Sequence, residues 1–159
     1  MQNITLLPKW LFSLLFKMNR ATLIILTTIL TNCISFIFSL IIAPIFNDTA
    51  TGYQTGDSIK LIIIVIIITP IAETILFFSL IRVILQKIDS SGKYFIILSS
   101  ILFGISHNYS IIYIIDTFIT GAIWAYVYLI SEKRLENPTV NLIIIHILCN
   151  CIMTSLSLI

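Results

Sequence analysis

Apolar residues run through this chain in long blocks, separated by short polar turns. A membrane-crossing helix needs about 20 mainly apolar residues, and the blocks predict about five such helices. The first span covers about Ala21 to Phe46, with Pro44 near its far end. Asn47 to Ser58, holding Asp48, Gly52, Gly56 and Asp57, reads as a loop by turn chemistry. A second span, about Ile59 to Leu85, is followed by another loop, Gln86 to Lys93, with Asp89, Ser90, Ser91 and Gly92. The third span, about Tyr94 to Tyr109, is short, and Ser110 marks a tight turn into the fourth, about Ile111 to Ile130. A charged connector, Ser131 to Asn137, and Pro138 lead into the fifth, Thr139 to Ile159. The fold class predicted is all-α, a polytopic membrane helix bundle. Residues 1–20 carry Lys9, Lys17 and Arg20 around a short apolar stretch, without a small-residue cleavage site. They read as a retained, amphipathic, interfacial segment with Trp10 at headgroup level. The organisation expected is therefore 1–20 interfacial, 21–58 first span and outer loop, and 59–159 the functional core.

Composition agrees with a membrane chain. Of 159 residues, 58% are hydrophobic and 10% charged, against about 45–50% and 25% in soluble domains. No basic run interleaved with aromatics occurs, which argues against a nucleic-acid partner. Cys33, Cys149 and Cys151 are odd in number and lie in apolar segments, so they read as small packing residues. The net charge of +2 matters less than its placement. With the N-terminus in the cytoplasm, Lys9, Lys17, Arg20, Arg82, Lys87, Lys93, Lys133 and Arg134 fall on the cytoplasmic side, and only Lys60 falls outside. Trp124, Tyr126 and Tyr128 read as an aromatic belt near that face. The Ile-rich run Leu61 to Ile68 reads as lipid-facing filler.

Against this background a few polar side chains stand out. Glu73, His107, His146 and Asn150 are embedded in apolar spans, and intramembrane ionisable residues are normally retained for function. Residues four apart share a helix face, so Phe103 and His107 point one way, as do His146 and Asn150. Gly104 lets a neighbouring helix approach, and Pro70 can bend the second span beside Glu73. At about 1.5 Å per residue, Glu73 lies about 14 Å from the Arg82 end of its span, and His146 and Asn150 about 10 and 16 Å from Thr139. His107 lies about 21 Å from Lys93. Those depths permit convergence on one cavity. A hydrolase needs a base to activate water and donors for the oxyanion. Glu73 with His107 suits the first task, and His146 with Asn150 the second. Glu73, His107 and His146 would equally form a zinc shell with an open water position.

The stretch Pro70-Ile71-Ala72-Glu73-Thr74-Ile75-Leu76-Phe77-Phe78, the Phe103-x-x-x-His107 pair and the His146-x-x-x-Asn150 pair resemble the three motifs of the CPBP family, also called Abi or type II CAAX proteases. The similarity covers about Lys60 to the C-terminus and includes Gly121. It implies a glutamate-dependent intramembrane endopeptidase, historically described as a metalloprotease. By match to the motifs, Glu73 is the water-activating carboxylate, His107 its partner, and His146 and Asn150 complete the site. The family's first motif is usually Glu-Glu-x-x-x-Arg. Here Thr74 stands in place of the second acid and Phe78 in place of the cation. Arg82, one turn further on, would replace that cation only by reaching back into the site.

The resemblance implies a membrane-associated peptide or protein as substrate, entering from the cytoplasmic side or the bilayer. It also implies a role in bacteriocin processing or immunity at a bacterial cell membrane. A non-catalytic scaffold or immunity protein of the same fold is the alternative that Thr74 and Phe78 favour. A proton-coupled transporter relaying through Glu73, Asp116 and the histidines is a third reading, although the halves carry no inverted repeat. Asp116 itself is expected to line the cavity, pair with a histidine, or sit near the outer interface.

Overall fold

The computed structural model describes residues 9–47 and 59–157. The loop read at 47–58 therefore lies, apart from Asn47, outside the described residues, as does the start of the interfacial segment. Among the described residues all regular structure is helical. A short helix α1 (Lys9–Lys17) precedes α2 (Arg20–Ile45), whose start is capped by the Asn19 side chain accepting from the Thr22 N–H at 2.8 Å. Then come α3 (Lys60–Leu85), α4 (Lys93–Ser106), α5 (Ile111–Lys133) and α6 (Pro138–Ser157). Four of them, α2, α3, α5 and α6, are long and apolar enough to cross a membrane. The shorter α4 is apolar as well. The chain is a polytopic helical bundle and an integral membrane protein.

Boundaries follow local chemistry. Buried Asp89 starts α4: its Oδ1 accepts from Lys93 N at 3.1 Å and its Oδ2 from Phe95 N at 2.8 Å, filling helix donors that lack intrahelical partners. Gly92 (φ 77°) makes the left-handed entry that a side chain would resist. The Ser110 hydroxyl accepts from Tyr113 N at 3.0 Å and starts α5. The third span was expected to reach Tyr109 but stops at Ser106. His107 leaves helical geometry (φ −102°, ψ 50°), with its ring on the Phe103 carbonyl and its backbone N–H on the Gly104 carbonyl.

Helices α4 and α5 form the tightest antiparallel pair. A Cβ placed on Gly104 would stand 3.0 Å from Phe118 Cβ, and one on Gly121 would stand 3.2 Å from Ser100 Cα. These two glycines set the approach. Helix α5 is central: Trp124 to Ser131 is buried at every position. Trp124, Tyr126 and Tyr128 are therefore core residues, 2%, 6% and 5% exposed, and the interfacial belt expected of them is corrected. Their rings fill the space between helices that a 3.6-residue turn aims inward on every side.

Polar side chains fasten the end of the bundle bearing the 86–92 and 131–137 loops. Arg82 grips Glu132 through both carboxylate oxygens (Nη2–Oε2 2.9 Å) and donates to the Asp89 carbonyl at 3.2 Å. Arg20 Nε donates to Asn141 Oδ1 at 2.6 Å, and Asn141 Nδ2 donates to Glu136 and Ser131. Such charge-assisted bonds are the strong ones in a low-dielectric interior.

Candidate functional site

Glu73 sits in a single α-helical stretch of α3, Thr69–Thr74, between two π-helical segments, Ile64–Ile68 and Ile75–Ser79. Pro70 explains the first boundary. In the π register Thr69 N–H bonds to the Ile64 carbonyl, so residue 70 should bond to Val65. Proline has no N–H to give. The freed Val65 carbonyl instead accepts a hydrogen bond from Asn150 Nδ2 at 2.9 Å, from α6. The run 61–68 is consequently more than filler: its outer side chains face out, but its backbone docks α6. Asn150, expected as an oxyanion donor, has one amide N–H engaged here and a second left to give.

Both histidines converge on Glu73. His107 Nε2 stands 3.8 Å from Glu73 Oε1, and His146 Nε2 stands 3.4 Å from Oε2. Each ring is held by its surroundings. His107 Nδ1 lies 2.8 Å from the Phe103 carbonyl, which can only accept, so Nδ1 carries the proton. That leaves Nε2 of the neutral ring as an acceptor facing the carboxylate. Ser106 Oγ also donates to the Phe103 carbonyl, at 2.8 Å. The His146 ring is 3% exposed and its Nδ1 has no partner. A proton on that buried nitrogen would be stranded, whereas a proton on Nε2 meets Glu73. The two imidazoles thus flank one carboxylate in opposite tautomers.

An aromatic set replaces the ions that the first motif lacks. Phe78 is fully buried, with its ring 5.6 Å from Phe103 and 6.3 Å from Trp124. Phe103 in turn packs on His107 at 4.6 Å, and Trp124 on His146 at 4.5 Å. Thr74 is also fully buried, and its hydroxyl has no partner. Arg82 does not reach back: it is bound to Glu132 and Asp89. The role of these rings was missed in the sequence, although the i,i+4 pair Thr74/Phe78 lies on one face of the helix that carries Glu73.

Asp116 is buried, and its Oδ1 accepts from Ser35 Oγ of α2 at 3.2 Å. No ion pair with either histidine is formed.

Residues 55–152 match the family described as type II CAAX prenyl endopeptidase Rce1-like. The chain belongs to this family. Comparison with curated proteins and with solved structures gives no match. The matched region holds all four candidate residues, so the resemblance to CPBP proteins is borne out and the chain carries the family's intramembrane-protease fold. For an Rce1-like protein, a metal at the site is the remaining chemical question. Among the described residues no group of three His, Cys, Asp or Glu side chains is arranged to hold one. The two imidazole Nε2 atoms approach different oxygens of Glu73.

Proposed function

We propose that this chain is an intramembrane endopeptidase that hydrolyses a peptide bond of a membrane-associated peptide or protein, with water activated by Glu73. The observation that carries this reading is one carboxylate held between two imidazoles inside a membrane bundle, at 3.8 and 3.4 Å. The wider separation is too long for a direct hydrogen bond, yet a water about 2.8 Å from each atom fits beside that line. Such a water donates one hydrogen to Glu73 Oε1 and the other to His107 Nε2. Glu73 takes the proton as the water oxygen attacks the scissile carbonyl. The second amide hydrogen of Asn150 serves the oxyanion, while the Nε2–H of His146, directed at Glu73 Oε2, holds the carboxylate in place. When the tetrahedral intermediate collapses, the C–N bond breaks and Glu73 returns the proton to the leaving amine.

In this reading 59–159 is the catalytic core, 21–58 adds a span, and 1–20 lies along the interface. The placement of the basic residues supports a cytoplasmic N-terminus, and the reading takes the membrane to be that of a bacterial cell. A second reading, a non-catalytic scaffold or immunity protein, draws on Thr74 and Phe78. The experiment that separates them compares membrane and secreted peptides from cells expressing the native chain or Glu73→Gln at equal level, by N-terminal peptide mass spectrometry. Fragments specific to the native chain support proteolysis; identical profiles with both proteins inserted favour the scaffold. A chelator arm decides the metal question: activity that is lost to chelation and restored by zinc would replace the carboxylate mechanism.

A further inference from the structure

The aromatic rings around Glu73 are not chemically alike. Phe77, Phe78 and Phe103 present only carbon and hydrogen, whereas Trp124 carries an indole N–H. That Nε1 is buried without a hydrogen-bond partner, in a side chain that is 2% exposed. A buried donor left unpaired is costly, and a phenylalanine would fill the same seam without one. Of the rings that Trp124 touches, His146 is nearest, at 4.5 Å between centroids and tilted by 52°. His146 is 3% exposed, its Nε2 stands 3.4 Å from Glu73 Oε2, and its Nδ1 has no partner either. With the proton on Nε2, Nδ1 can only accept, and an indole N–H can only donate. The two unpaired groups are therefore complementary, on rings already in contact. His107 is fastened differently: the Phe103 carbonyl accepts from its Nδ1 at 2.8 Å. The bond made by one ring nitrogen sets the protonation of the other, and for His146 Trp124 is the ring that brings a donor.

We infer that Trp124 is a positioning residue: its indole N–H supplies the hydrogen bond that His146 Nδ1 lacks, after a small turn of the two rings within their contact. This bond fixes His146 as the Nε2–H tautomer and aims that proton at Glu73 Oε2. Trp124 itself touches neither the reacting water nor the peptide. It acts through His146, which holds the carboxylate while Oε1 receives the proton from water. The catalytic consequence rests on the reading of Glu73 as the reacting carboxylate, whereas the hydrogen bond stands or falls by itself.

Nuclear magnetic resonance of the full chain in micelles, with ¹⁵N in histidine and tryptophan, tests this. The chain has two residues of each type, so Trp10→Phe and His107→Gln assign the signals. In the native chain a ¹⁵N–¹⁵N coupling is expected between Trp124 Nε1 and His146 Nδ1. Trp124→Phe keeps a ring and removes the donor; there His146 should become a mixture of tautomers while His107 stays protonated on Nδ1. A native chain without the coupling overturns the inference. So does an unchanged His146 in Trp124→Phe, and so does a change of both histidines together, which would make Trp124 a packing residue alone. Turnover of a cleaved peptide should fall about tenfold in Trp124→Phe at unchanged KM, and unchanged turnover overturns the positioning role. Because the coupling needs no catalysis, equal cleavage by the native chain and Glu73→Gln would remove the protease reading while the hydrogen bond stood.

Discussion

The hydrogen bond from Asn150 to Val65 exists because Pro70 cannot supply one, and that dependence is measurable. Asn150→Leu keeps the side-chain volume and removes the donor, leaving a backbone carbonyl unpaired inside the bundle. Side-chain hydrogen bonds between membrane helices contribute about 0.6–2 kcal/mol, so the variant should lose about 1 kcal/mol. Pro70→Ala gives residue 70 an N–H positioned to bond Val65 in the π register. In that background Asn150→Leu should cost almost nothing. The coupling expected in the double-mutant cycle is therefore about 1 kcal/mol, roughly a fivefold change in the folding equilibrium. Unfolding of the purified chain in mixed micelles of increasing denaturing-detergent fraction, followed by tryptophan fluorescence, reads all four members. Equal cost of Asn150→Leu in both backgrounds, within about 0.3 kcal/mol, would refute the assignment of this bond to the proline.

Three further outcomes are expected. The chain has two histidines, so ¹⁵N-histidine labelling reports the site alone: nuclear magnetic resonance should find one ring protonated on Nδ1 and the other on Nε2, and identical tautomers would dismantle the water-binding geometry. Phe78→Arg buries a lone cation among aromatic rings and should destabilise the chain by about 3 kcal/mol or more, whereas Thr74→Glu with Phe78→Arg should recover part of that loss; unfolding as above checks both, and additive losses would mean that the two positions do not communicate. Arg82→Ala should weaken the bundle by about 1.5–3 kcal/mol and leave the rate of any cleavage intact, since its partners are Glu132 and Asp89; a selective loss of catalytic rate in the intact variant would restore it to the site.

The order of spans was readable because hydrophobic block length is a strong signal when the solvent is lipid. The same blocks hid which faces are covered by protein. Trp124, Tyr126 and Tyr128 look interfacial by residue type, yet they are buried, because a helix surrounded by others has no outward face for aromatics to mark. The convergence of Glu73, His107 and His146 was anticipated from spacing and depth, since each side chain had too high a solvation cost to face lipid. Its finer geometry was not. The Asn150–Val65 bond needed a π register that no side-chain pattern declares, and the Phe78 packing needed the neighbours of α4 and α5.

The tie between Asn150 and Val65 also has a consequence for motion. Glu73 and His146 belong to two helices tied by that bond, one turn beyond His146 and about two turns before Glu73, so thermal fluctuations carry them together. His107 belongs to the α4–α5 hairpin, whose tie to α3, Arg82 to Glu132, lies at the other end of the hairpin from His107. Of the two gaps around the carboxylate, the 3.4 Å one is clamped and the 3.8 Å one is free to breathe. The slow coordinate of this site is then the opening between Glu73 and His107, and each excursion of the hairpin offers a place for one solvent molecule to exchange.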